Sequence, residues 1–260
     1  MFKLNSILIT IILFLLIVGM HEIGMKIGER YENKSDDDSK SQTTAIQGGI
    51  IGMLALILGF TFSMAVQRFD NRAAAEIAEA NAIGTAILRT NLLANPYNTK
   101  AEELIEDYIR NRLEINNTDL TETKTREKYQ KQTLKIQQEI WSLGITAAQL
   151  DPNPVTSGLF ISSVNDMIDA QGKRNDQLRR QVPPTIFYIL FIIFIATGGL
   201  IGYASGLGKK TSRVPSIVLS FLICLIVFII IDLDRARRGT IQVKQDSMEA
   251  LTPVQQYKNF

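Results

Sequence analysis

Four stretches of the chain lack charged residues for long enough to cross a membrane as helices. They are 4–20, 41–67, 181–208 and 214–231. A helix rises about 1.5 Å per residue and the hydrocarbon layer is about 30 Å thick, so about 20 apolar residues span it. The first stretch is short, which predicts that its helix continues through Gly24 and Gly28. The pattern predicts an all-α membrane protein with four transmembrane helices per chain.

The second apolar stretch continues as a helical pattern beyond the membrane. From Ala45 to Arg89 there is no proline and no turn cluster, which predicts one helix of about 45 residues. Small residues three and four apart share one face of its apolar half: Gly48, Gly52, Ala55, Gly59 and Ser63. Such a face allows the backbone of another helix to approach closely. Two interpretations stay open, namely helix packing within one chain and a helix that lines a pore.

The polar segment between the second and third apolar stretches has the pattern of a helical bundle. A capping box from Thr99 to Glu102 predicts the start of a helix, which Asn116 and Asn117 end. Amphipathic patterns predict further helices at about 122–143 and 156–180. Because no stretch alternates as a half-buried strand does, we expect helices only.

These elements predict four parts of the chain. Residues 1–66 hold the first two membrane helices, 67–182 a helical domain continuous with the second helix, 183–231 the last two membrane helices and 232–260 a tail. Basic residues near the membrane ends are more numerous on the side of the helical domain. This bias predicts a multi-pass inner-membrane protein whose large domain and termini are cytoplasmic.

Charge and residue usage exclude several classes of function. The chain has 28 Lys and Arg against 26 Asp and Glu, which argues against a nucleic-acid surface. Its one histidine, His21, cannot form a His-Glu-x-x-His zinc site, and its one cysteine, Cys224, lies within the fourth apolar stretch. No glycine-rich phosphate loop is present. We therefore predict no enzyme, no catalytic residues, no cofactor and no metal.

A charged motif follows the fourth apolar stretch. Two carboxylates are followed by three guanidiniums there, namely Asp232, Asp234, Arg235, Arg237 and Arg238. On one helical turn Asp232 reaches Arg235 and Asp234 reaches Arg238, which predicts a buried ion-pair cluster that joins the membrane and cytoplasmic layers. The alternative is that these arginines bind lipid phosphates at the membrane surface.

Three motifs carry a resemblance to a known family. They are Asp-Leu-Asp-Arg-x-Arg-Arg-Gly-x-Ile-x-Val at 232–243, Arg-Phe-Asp-x-Arg at 68–72, and Glu-Ala-Asn-Ala-Ile-Gly-Thr at 79–85 followed by Leu88-Arg89. Together they resemble the bacterial bestrophin-like domain family of unknown function. The stretch from Leu58 to Phe69 is also similar to a segment of the bestrophin anion channels.

The resemblance implies a homo-oligomer, a pentamer in bestrophins, with a helical cytosolic domain that continues the pore. It implies a hydrophobic neck at Gly52, Leu56 and Phe60, where Gly52 departs from the bulky apolar residue expected. The bestrophin calcium clasp needs an acidic cluster after the last span. Because arginines occupy that region here, we expect no calcium clasp.

Two functions of different classes follow. The first is an oligomeric, anion-permeable channel lined by the second helix, with Leu56 and Phe60 as a dewetting constriction. Below the constriction, Arg68, Arg72 and Arg89 would form a vestibule that raises the local concentration of anions. Alternatively these arginines pair with nearby carboxylates, namely Asp70, Glu76 and Glu79. The second function is a non-conducting membrane scaffold or regulatory protein with a cytoplasmic docking domain.

Overall fold

A computed structural model describes residues 5–118, 122–208, 213–237 and 239–252. Within them the chain forms helices and no strand, which confirms the all-α class. Short 3-10 and π turns at Glu32–Lys34 and Pro154–Gly158 precede α2 and α5. The α-helices are α1 (Ser6–Tyr31), α2 (Asp37–Thr90), α3 (Tyr97–Asn117), α4 (Thr123–Leu150), α5 (Leu159–Arg179), α6 (Pro184–Gly206), α7 (Val214–Asp234) and α8 (Asp246–Glu249). Arg238 of the predicted ion-pair cluster lies outside the described residues.

The chain divides into two compact units. Described residues within Met1–Phe69, Gln181–Arg235 and Gly239–Ile241 form the membrane unit, and the others form the polar unit. The sequence-based division assigned 232–260 to a separate tail, whereas Asp232 to Arg235 belong to the membrane unit. The boundary between the units falls within α2, whose 54 residues make it longer than the predicted helix.

Four described helices, α1, α2, α6 and α7, are long and apolar enough to cross a membrane. Their inward residues form one apolar cluster in the membrane unit, to which α1 contributes Leu13, α2 Leu58, α6 Phe194 and α7 Cys224. Outward-facing residues such as Ile192 of α6 remain exposed, as expected of helices whose surroundings are lipid rather than water. The four predicted spans therefore correspond to four helices.

Glycines bring α1 and α6 into backbone contact. A Cβ added at Gly24 would lie 2.0 Å from the carbonyl oxygen of Gly199, and one added at Gly202 would lie 2.0 Å from that of His21. The same crowding recurs at Gly206, 2.2 Å from the carbonyl oxygen of Met25. Real side chains cannot approach so closely, so only glycine allows this contact. The glycine-rich end of the third span therefore serves tight packing.

The polar unit has its own core. Its fully buried residues come from every long helix of the unit: Ile83, Ile105, Tyr108, Ile140 and Phe160. Each α3, α4 or α5 member of this set is a residue whose periodic spacing marks the apolar face of its helix. The apolar faces of these amphipathic helices thus form the core of the polar unit.

Two helix starts differ from prediction. α2 begins at Asp37, eight residues before the predicted Ala45, because the Asp36 carboxylate accepts the Ser39 N–H at 2.9 Å and caps the first turn. The capping box at Thr99 is wrong, since α3 begins two residues earlier at Tyr97. There Asn98 Oδ1 accepts the Thr99 N–H at 2.7 Å, so Thr99 lies inside the helix.

We expect the substitution Gly202→Ala to lower the unfolding temperature of the detergent-purified protein. Its Cβ must push α6 away from α1, and overpacking of this kind costs about 1–3 kcal/mol. Gly19→Ala is the matched control, because a Cβ at Gly19 meets no described neighbour within 4 Å. Equal unfolding temperatures for the two variants would contradict the close contact.

Candidate functional site

One face of α2 packs against the rest of the membrane unit. Leu54, Leu58, Thr61 and Ala65 are buried and follow one another at intervals of four, three and four residues. At about 100° per residue these positions fall on a single stripe. This stripe joins the apolar cluster that contains residues of α1, α6 and α7.

The opposite face of α2 carries the predicted neck residues. Leu56 is 60% exposed and Phe60 is 64% exposed, and Gly52 is exposed one turn earlier. Side chains four residues apart lie above one another on a helix. The three positions therefore form a continuous stripe, which no described part of the chain covers.

The small residues of α2 flank this neck stripe. A Cβ added at Gly48, Gly52 or Gly59 would meet no described neighbour within 4 Å, and Ala55 and Ser63 are exposed. Packing within one chain, the first interpretation of this face, therefore does not occur among the described residues. Close helix packing inside the membrane unit is instead provided by the glycines of α1 and α6.

The three predicted vestibule arginines have different surroundings. Arg68 is partly exposed in the membrane unit. In the polar unit, Arg72 is buried and its Nη2 donates to the Arg180 carbonyl oxygen at 2.9 Å, at the C-terminal end of α5. Arg89 is partly exposed and its Nη1 donates to the Leu159 carbonyl oxygen at 2.9 Å. Arg72 and Arg89 thus bind opposite ends of α5.

Glu79 of α2 is the centre of a buried ion cluster in the polar unit. Its two carboxylate oxygens accept from Arg112 Nε at 2.7 Å and Arg112 Nη2 at 3.1 Å, a bidentate pair. Arg174 Nη1 donates to Oε2 at 2.7 Å, and the Tyr108 hydroxyl donates to Oε1 at 3.3 Å. Glu79 and Arg112 are almost completely inaccessible to solvent.

The charges in this cluster support one another. Burial alone would lower the pKa of the Arg112 guanidinium, but the adjacent Glu79 carboxylate raises it above its ordinary value. Burial, and then the negative charge of Glu79, raise the pKa of the Tyr108 phenol, which stays protonated and donates. The cluster is therefore a carboxylate held by two cations and a hydroxyl.

Sequence reasoning missed the partners of Glu79. It considered pairing only with arginines of the same helix, whereas Arg112 and Arg174 come from α3 and α5. A signal was present, because Arg112 follows Tyr108 by four residues and Arg174 follows Met167 by seven. Both cations therefore fall on apolar faces, where a charge requires a partner.

The charged motif that follows the fourth apolar stretch, Asp232 to Arg238, is called the exit motif below. Its two aspartates bind backbone groups of the membrane unit. Asp232 is 2% exposed, and its Oδ2 accepts from the Thr240 hydroxyl and the Ile241 N–H, both at 2.8 Å. Asp234 Oδ1 accepts the Val182 N–H at 2.8 Å, just before α6. The burial expected for these aspartates is present, and the pairing of Asp232 with Arg235 stays a prediction.

Arg237 belongs to the polar unit. Its guanidinium donates to the Ile115 carbonyl oxygen at 3.4 Å and to the Asn116 side chain, at the end of α3. Burial, and then the positive charges of Arg126, Arg174 and Arg112, lower its pKa. Arg237 thus belongs to the polar unit, whereas Asp232, Asp234 and Arg235 belong to the membrane unit.

Comparisons with known proteins agree with this architecture. The profile of the Bestrophin-like domain matches residues 15–248. Crystal structures of a bacterial bestrophin homologue from Klebsiella pneumoniae have a similar fold. One, with a tyrosine-to-alanine mutation, gives a TM-score of 0.69 at 18% identity over 92% of this chain and 94% of that chain. Another, with a tryptophan-to-alanine mutation, gives 0.69 at 17% identity over 98% and 94%. Among curated proteins no sequence match was found.

We expect Glu79→Gln to destabilise the protein strongly. The amide cannot neutralise Arg112 and Arg174, and one broken partner of a buried pair costs about 3–5 kcal/mol. Asp107→Asn is the matched control, since Asp107 pairs with Arg110 at the surface. An exposed pair contributes about 0–1 kcal/mol. Thermal unfolding in detergent measures both, and similar small shifts would refute the structural role of Glu79.

Proposed function

The chain belongs to the bestrophin-like family, and from this premise we propose that it is an oligomeric anion channel whose pore is lined by α2. Bestrophin-like proteins are known as anion channels, which supports a channel-like membrane protein in general. The observation that carries the finer proposal is the uncovered stripe of Gly52, Leu56 and Phe60 on α2.

The exposed stripe has the chemistry of a hydrophobic gate. In a closed ring of identical subunits, one stripe repeats around the axis, so Leu56 and Phe60 each contribute one ring of side chains. Apolar rings of this kind exclude water when narrow and so hold back hydrated ions. The ring at Gly52 has no side chains and is therefore wider. The constriction of the proposed pore is at Leu56 and Phe60.

The small-residue face supports assembly. It lies beside the neck stripe and away from the buried stripe, which is where a pore-lining helix meets the next subunit in a ring. Gly48 and Gly59 leave room there for close backbone approach. We propose a homo-oligomer, a pentamer by its family, in which this face of α2 contacts a neighbouring subunit.

Positive charge accounts for the proposed anion preference. Arg68 and Arg89 are partly exposed and would attract anions to the cytoplasmic side of the neck. Arg72 is buried against α5 and would act by holding that helix in place rather than by contact with ions. The proposal assigns the polar unit and the termini to the cytoplasm and the protein to the inner membrane, in accordance with the distribution of basic residues.

The double variant Leu56→Ala/Phe60→Ala should increase anion flux into liposomes, because smaller rings weaken the dewetting barrier. Its unfolding temperature should change little, since both side chains are exposed in the subunit. Leu54→Ala/Leu58→Ala is the control from the buried stripe of the same helix. That variant should lose stability, about 2–5 kcal/mol for each truncated leucine, without added flux.

The outcome that contradicts pore lining is specific. If Leu56→Ala/Phe60→Ala leaves flux unchanged and lowers stability as the buried-stripe control does, the two side chains pack against helices. A non-conducting scaffold would then be the better description of the protein.

Gly59→Leu should reduce the oligomer to smaller species. The isobutyl group finds open space within one chain but would separate α2 from the neighbouring subunit in the proposed ring. Mass photometry of the purified protein measures this, with Gly172→Leu as control, because Gly172 of α5 is exposed and equally open. Wild-type oligomer mass for Gly59→Leu would exclude close contact at this face.

A further inference from the structure

The polar unit contains a cavity of about 330 Å³. It lies among α2, the C-terminal end of α3, α5 and the segment that precedes α8. Its polar lining includes Arg72, Arg174, Arg237, Asn116, Thr118 and Gln245. The volume falls in the range of sites for small molecules, about 300–1,000 Å³.

The charged lining of this cavity is predominantly positive. Three guanidinium groups, those of Arg72, Arg174 and Arg237, accompany one carboxylate, that of Glu76. The carboxylate of Glu76 accepts the Met248 N–H at 3.0 Å, which directs one of its oxygens to backbone. Arg174 also pairs with the Glu79 carboxylate behind the lining, so the surplus positive charge of the cavity comes from Arg72 and Arg237.

Arg237 is the residue of this cavity that most requires an anionic partner. Its hydrogen bonds are with neutral oxygens, the Ile115 carbonyl and the Asn116 side chain, and no described carboxylate forms an ion pair with it. The nearby guanidiniums of Arg126, Arg174 and Arg112 repel its charge, and the Glu79 carboxylate offsets only part of this repulsion. A partly buried cation among cations is unfavourable unless an anion joins it.

The neutral groups of the lining complete an oxyanion site. The side-chain amides of Asn117, Gln242 and Gln245 line the same cavity and can supply additional donors around the guanidiniums. A guanidinium fork binds two oxygens of one phosphate or carboxylate at once, a match that a spherical halide cannot provide. The guanidiniums of Arg72 and Arg237 donate to neutral oxygens of the protein. An oxyanion with several charged oxygens is a stronger acceptor and would replace or share these bonds.

We infer that this cavity binds a small multivalent oxyanion of the phosphate class, either free phosphate or the phosphoryl group of a small metabolite. The lining of this site includes no residue of the neck stripe and neither of the partly exposed vestibule arginines, Arg68 and Arg89. Binding would tie Arg237, Gln242 and Gln245 to α2, α3 and α5 within the polar unit. It goes beyond the proposed function and does not depend on conduction.

The test uses the full-length protein in detergent at constant ionic strength, with potassium chloride replaced stepwise by potassium phosphate. We expect saturable binding by isothermal titration calorimetry, one site per subunit, and a rise in unfolding temperature. A sugar monophosphate in a parallel titration separates the sources. Tighter binding than inorganic phosphate identifies a phosphorylated metabolite, and equal binding identifies phosphate itself.

Variants at Arg237 connect the binding to this cavity. Arg237→Gln should weaken phosphate binding by about tenfold or more, because it removes a charged donor pair. Arg237→Lys keeps the charge and loses the fork, so its affinity should be intermediate. Arg110→Gln is the control, since Arg110 is exposed on α3 and binds Asp107. Its affinity should equal that of the wild type.

Two results would overturn the inference. One is a wild-type protein whose titration with phosphate shows no saturable heat and whose unfolding temperature follows ionic strength alone. The other is an Arg237→Gln protein that is folded and binds phosphate as tightly as the wild type. The wild-type titration decides the matter even if a variant does not fold.

Discussion

The burial of one carboxylate, that of Glu79, is the constraint on which the polar unit depends. An ionised group away from water is tolerated only when its charge and its hydrogen-bonding capacity are both satisfied. Arg112, 33 residues later, and Arg174, 95 residues later, must therefore each reach the same point on α2. This requirement sets the register of α3 and α5 against α2. The apolar residues around Ile83 and Ile105 then close over it.

The membrane unit is held together by a different kind of interaction. Between helices in lipid the hydrophobic effect gives little preference for a protein neighbour over an acyl chain, so close packing must provide the attraction. The glycines of α1 and α6 meet this need by bringing two backbones into contact. At the end of α7, Asp232 binds the Ile241 N–H of the segment that follows, and Asp234 binds the Val182 N–H, which is 52 residues away in sequence. Close backbone contact between helices determines the packing in the apolar region, and hydrogen bonds determine it at the end of α7.

The predictable part of this structure is the part that depends on local pattern. Helical periodicity predicted the four membrane helices, the continuity of α2 and the apolar faces of α3, α4 and α5, because each face is encoded within its own helix. The start of α3 was misplaced, since the helix begins directly after Pro96 without a side-chain cap and therefore without the pattern that a capping box provides. The partners of Glu79 and of Asp234 were not found, because they lie far away in sequence and only tertiary structure brings them together.

The candidate site shows the same limit. That α2 has a small-residue face could be derived from sequence, but which face the chain covers depends on how α1, α6 and α7 pack. The neck positions came from the resemblance to bestrophins, and the structure adds that Leu56 and Phe60 are uncovered in the single subunit. Their role in a pore involves other subunits and stays a proposal. Arg72 and Arg89 have structural contacts with α5 that no local pattern indicates.

Cys224 leaves the natural protein unreactive towards thiol reagents, which is useful for labelling experiments. It is the one thiol of the chain, it is 3% exposed in the apolar cluster of the membrane unit, and its sulfur is shielded from water-borne reagents. A maleimide or methanethiosulfonate reagent added to the natural protein therefore meets no reactive partner. Cysteines introduced singly along α2 would stand out against this background. The rate at which each one reacts would then record, position by position, where water reaches the helix.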